Sequence, residues 1–196
     1  MYFVQKYPKQ IQIFNSVLII VSIICNILAL LENVRNHNIG IAVSDLMLLG
    51  ALVCALIYMV KGHGKQTAGY FKATICLFLL GTIASVIVNA ITTAPGEKTS
   101  LIGTVVIALI GTVLIAAVAF LPNLGKKKAL TFSAVNLIMR TAIFVIVAVL
   151  LAVNPQAREK QGIAVIYRTL VLVTLSAVIY INTCYKYLDK EERHTN

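Results

Sequence analysis

The sequence predicts an all-α, polytopic integral membrane protein with six transmembrane helices. Two observations carry this: 59% of its 196 residues are hydrophobic and only 12% are charged, and the apolar residues gather in six long runs. A soluble domain of this size would have too little polar surface to cover itself, so the natural solvent is a lipid bilayer. A hydrocarbon core of about 30 Å is crossed by about 20 helical residues. Runs of that length lie at roughly 11–31, 39–60, 70–92, 101–121, 131–153 and 163–185. They are continuously apolar instead of alternating, which predicts helices over barrel strands, since a helix pairs every backbone group within its own span.

The elements follow in order. The first run comes after Lys6 and Lys9, is too long for a signal-peptide core and lacks a small-residue cleavage site, so it is read as a retained span. Short polar segments separate the others, with Pro122, Gly125, Pro155 and Gly162 at chain reversals. Every connecting loop is about ten residues or shorter, and the whole of 1–196 is expected to form one six-helix transmembrane domain.

The net charge of +10 would suggest nucleic acid in a soluble protein, but here the lysines fall between apolar runs. Positive residues are retained on the cytoplasmic side, and eleven of them (N-terminus, second loop, fourth loop and tail) share one side. Four, Arg35, Lys98, Arg158 and Lys160, lie on the other. The expected arrangement is therefore a plasma-membrane protein with both termini in the cytoplasm and no nucleic-acid partner.

A shift of 61 residues aligns Gly50 with Gly111, Ala55 with Ala116 and Gly64 with Gly125, which suggests three similar helical hairpins. Evenly spaced helices written in a small alphabet give the same coincidences by chance.

Polar residues within the runs are the informative ones. Arg140 stands about 14 Å into the fifth span, near the midplane, with Asn136 and Ser133 on the same helix face. A charge at that depth costs at least about 2.5–3.5 kcal/mol, so a partner is expected. Asp45 in span 2 is the one acidic residue well inside a run, and Arg168 in span 6 lies at matching depth. Depth pairs Asp45 with Arg168 first, while the long side chain of Arg140 is expected to reach for the same carboxylate. One carboxylate against two guanidiniums leaves net positive charge, which invites a small anionic ligand. Asn136, Asn89 and Ser44, with Asn15 and Asn26, are candidates to line such a cavity. The competing reading is structural: the charges pair and the asparagines hold helices together.

Catalytic and cofactor chemistry find no foothold. The four cysteines form no CxxC pair, the three histidines are scattered, and no metal cluster, nucleophile elbow, Walker loop or dinucleotide fingerprint is present. His63 and Cys76 resemble the His/Cys pair of agr-type peptide-processing endopeptidases only in kind, since thirteen residues separate them and Cys76 lies inside an apolar run. In size and topology the chain resembles the substrate-binding subunits of energy-coupling-factor transporters, although the AxxxA pattern of their first span stands here in span 2, at Ala51 and Ala55. That resemblance implies a membrane-embedded small-molecule site. The alternative is a non-catalytic accessory subunit whose lipid-facing small residues dock a membrane partner.

Overall fold

A computed structural model describes residues 8–61, 68–92, 98–120, 124–154 and 164–192. Six α-helices run through them: α1 (Pro8–Arg35), α2 (Ile39–Lys61), α3 (Ala68–Thr92), α4 (Lys98–Phe120), α5 (Lys126–Val153) and α6 (Ala164–Glu192). Five of the six, all but α4, are long and apolar enough over their described residues to cross a membrane. α4 is 23 residues long, and its segment Leu109–Val118 is apolar. The chain is a multi-pass helical membrane protein.

The helices run past the apolar spans that hydropathy marks. α5 begins at Lys126 and α6 continues to Glu192, because a helix keeps its backbone paired in the headgroup region as well as in hydrocarbon. Several residues counted for orientation, Lys65, Arg158 and Lys160 among them, lie outside the described residues, as does His63.

Each helix packs against its neighbours in the chain, and α6 closes the ring on α1 while also touching α2. The three hairpins do not stand apart, since α2 packs as closely on α3 as on its own hairpin partner α1. α6 is the most enclosed member: from Ala164 to Tyr185 no residue is exposed.

Burial inverts the pattern of a soluble bundle. On α1, Phe14, Val17, Val21 and Ile24 face outward, while Asn15, Ser22, Asn26 and Asn33 are buried at spacings of seven, four and seven. Those three spacings return to one helix face, which therefore turns inward. Ser133, Asn136 and Arg140 repeat this on α5, and Thr169, Ser176 and Thr183 on α6. Lipid solvates the apolar exterior, so polar contacts, close packing and shape hold the interior together.

The interhelical hydrogen bonds run between these faces. Ser22 and Thr174 share a hydroxyl contact of 2.6 Å between α1 and α6, and Asn136 Nδ2 donates to Ser176 Oγ at 2.8 Å between α5 and α6. Ser44 donates to the Gly81 carbonyl at 2.7 Å between α2 and α3. Such bonds contribute on the order of 0.6 kcal/mol each within a membrane. The close approach explains Gly81: a Cβ there would sit 3.1 Å from Leu48 Cδ2 and 3.2 Å from the Ser44 carbonyl oxygen.

Towards the end carrying the α2–α3 connection, the centre is solid and apolar, built from Leu52, Ala55, Met59, Ile75, Phe78 and Ile179 among others. Ala51 and Ala55 belong to this core at 0% and 1% exposure. They therefore face the bundle and not the lipid: of the two roles open to such small residues, packing within the bundle and docking a partner across lipid, these two take the first. An apolar helix with apolar surroundings shows little periodicity, so the sequence alone does not say which way its small residues turn.

At the opposite end, α1 closes in a Schellman motif. His37 takes the left-handed conformation with φ 57°, its N–H donates to the Val34 carbonyl at 3.1 Å, and the Asn38 N–H donates to the Asn33 carbonyl at 2.8 Å. Asn38 then accepts from the Ala42 N–H at 3.0 Å and so starts α2. Here the interior is hollow.

Candidate functional site

The site begins with Asp45, one and a half turns into α2 and fully buried. Both carboxylate oxygens are taken. Oδ1 accepts from Arg168 Nε at 2.9 Å and also from Arg168 Nη2, and Oδ2 accepts from Asn33 Nδ2 at 2.7 Å. The Arg168 fork makes two further contacts, to the Ile41 carbonyl at 3.0 Å and more weakly to Ser85 Oγ at 3.4 Å. Helices α2 and α6 and the α1 terminus thus meet on one carboxylate, α3 joins through Ser85 on Arg168, and the pair is electrically neutral.

Arg140 is held differently. It lies thirteen residues from the end of α5, about 20 Å along that helix, and is 6% exposed. Its guanidinium stands 5.8 Å from the centroid of the Phe78 ring, an attraction on the order of 0.5–2 kcal/mol. Nη2 is buried with no hydrogen-bond partner among the described residues, and so is the neighbouring Asn136 Oδ1. Both atoms crowd α4 at Gly111, where a Cβ would come within 2.9 Å of Asn136 Oδ1 and 3.5 Å of Arg140 Nη2. Among the described residues no carboxylate pairs with Arg140. The expectation that the two arginines share Asp45 is thereby corrected: Arg168 and Asn33 already occupy both oxygens.

The two guanidiniums nonetheless line one cavity of about 370 Å³. It extends from the level of Asn38 and Asn89, near the α1–α2 turn, to a floor at Arg140, Leu48 and Gly81. On α5 and α6 the apolar Ile143, Val147 and Leu172 stand between Arg140, Arg168 and Thr169, whereas Ser85, Asn89, Asn38 and Asn33 place polar groups on the other side and at the turn.

The sequence-chosen residues divide accordingly. Arg140, Arg168 and Asn89 line the cavity, and Asp45 stands directly behind Arg168. Asn136 sits beside Arg140 outside the lining, and Ser44 is used to join α2 to α3. Asn15 and Asn26 are buried elsewhere on α1, with both amide atoms of each lacking a partner among the described residues.

Asn33 was not legible. It lies two residues before the end of α1, where an asparagine reads as part of a turn, and only the Schellman geometry brings its amide onto Asp45. Gly81 and Ser85, four apart, form a small-xxx-small pattern that permits close helix approach, and the structure uses both at the cavity.

The fold and this chamber define a class: a multi-pass helical membrane protein with a charged, partly polar cavity inside the bundle. No protein family matches the chain, and no curated protein or solved structure matches it either. The functional reading therefore rests on the chain's own geometry.

Proposed function

We propose that this protein binds a small anion in the cavity between α2, α3, α5 and α6 and carries it across the plasma membrane. The observation that supports the reading is the asymmetry of charge: Asp45 neutralises Arg168, and Arg140 on the same cavity has no carboxylate partner among the described residues. A buried unpaired cation is costly in lipid, and an anion in the cavity lowers that cost through its charge. The lysine and arginine bias supports an orientation with both termini in the cytoplasm, so the cavity end faces outside. Transport requires the apolar core below Arg140 to part during the cycle.

The decisive measurement is thermal unfolding of purified protein against a panel of inorganic and organic anions. A ligand that binds only the folded state raises the midpoint. At least one anion is expected to do so in wild type and not in Arg140→Gln. Equal responses of the two proteins to every anion would overturn the reading. For orientation, a single cysteine at Lys98→Cys in a background without Cys25, Cys54, Cys76 and Cys184 should label from outside intact cells, and one at Lys127→Cys should not.

A further inference from the structure

Resting on the anion-binding reading, we infer that the cavity selects a small amphipathic monocarboxylate over dianions, inorganic phosphate and neutral analogues. Charge sets the first limit. Among the described residues the cavity is lined by two cations and backed by one carboxylate, Asp45, which pairs with Arg168, so one positive charge remains. A dianion would bring a second negative charge into low dielectric with no cation to meet it, and that penalty is large inside a membrane.

Shape sets the second. A volume of about 370 Å³ lies at the lower end of the roughly 300–1,000 Å³ usual for ligand pockets, and corresponds to about a dozen waters. Free phosphate would leave most of it empty. The wall beyond Arg140 includes Ile143, Val147 and Leu172, which reward an apolar body. Ser85 and Asn38 lie on the far side, towards the turn, and suit a hydroxyl or amide at the other end of the ligand. The carboxylate then sits deep, on Arg140, with the chain rising along α5 and α6.

Nη2 and Nε of the Arg140 guanidinium pack towards α4 at Gly111, so a carboxylate in the cavity is met by the charge of the group and not by a two-pronged contact. Burial of the guanidinium against Phe78 and Gly111 also restricts how it can turn.

The test is direct titration calorimetry and thermal unfolding in detergent with octanoate, 6-acetamidohexanoate, octanamide, adipate, phosphate and oleate. Octanoate and 6-acetamidohexanoate should bind saturably, and at least tenfold more tightly than octanamide, adipate or phosphate. Arg140→Gln should lose the octanoate response, and Arg140→Lys should retain it at reduced affinity, which separates loss of charge from loss of fold. Adipate or phosphate binding tenfold better than octanoate, still dependent on Arg140, would overturn the monocarboxylate class while leaving an anion site. Oleate outcompeting octanoate would overturn the small, water-borne ligand in favour of one drawn from the bilayer. Failure of every anion to distinguish wild type from Arg140→Gln would overturn both this inference and the reading beneath it.

Discussion

Arg168 and Arg140 are the same residue type on adjacent helices and line the same chamber, yet their surroundings are opposite. Arg168 makes a forked contact with a saturated carboxylate, a backbone carbonyl and a serine. Arg140 has an aromatic face, a crowding glycine and an orphaned Nη2. The difference teaches that a charge inside a membrane protein has to be read by its partners and not by its depth. One arginine fastens helices, and the other is left to attract.

The strongest way to break this comparison is to make one substitution at both positions. Arg168→Met leaves Asp45 buried with Asn33 alone, and is expected to cost about 3–5 kcal/mol, as breaking buried pairs does. Reversible denaturation in mixed micelles measures it. A loss below about 1 kcal/mol would mean that the pair is not the fastening it resembles.

Gly111→Ala comes next. The new methyl group would press on Asn136 and Arg140, and overpacking of this kind costs about 1–3 kcal/mol. The same denaturation assay reads it, and the anion response should weaken with it as the guanidinium is displaced.

Arg140→Met sharpens the contrast by sign. Removing an unpaired buried cation is expected to leave stability within about 1 kcal/mol of wild type or to raise it, because no buried carboxylate is abandoned. A loss comparable to that of Arg168→Met would show that Arg140 has a structural partner after all.

The smallest effect belongs to the turn that delivers Asn33. His37 adopts a left-handed backbone at a cost of about 1 kcal/mol, so His37→Gly relieves it, and the greater freedom of unfolded glycine offsets part of the gain. A net stabilisation of a few tenths of a kcal/mol in the unfolding midpoint is expected.

Much of this contrast was legible in the residues. Depth along spans 2 and 6 placed Asp45 opposite Arg168, and the seven- and four-residue spacing of Ser133, Asn136 and Arg140 turned that face inward. What could not be read was rotation and reach. Depth put Arg140 within plausible distance of Asp45, but which oxygens were already spoken for depended on the irregular end of α1, where no periodicity exists to follow. The inward turn of Ala51 and Ala55 escaped for a related reason, since lipid and core are equally apolar and the sequence marks no boundary between them.

The enclosure of α6 bears on how the protein is made. Asp45, Ser22 and Asn136, on α2, α1 and α5, all meet their partners on this helix: Arg168, Thr174 and Ser176. It follows the other helices in the chain, so those groups wait without their α6 partners until it emerges. A ribosome stalled ahead of residue 164 would leave an open bundle in which Asn33 alone holds the Asp45 carboxylate, the sort of nascent product that membrane quality control removes.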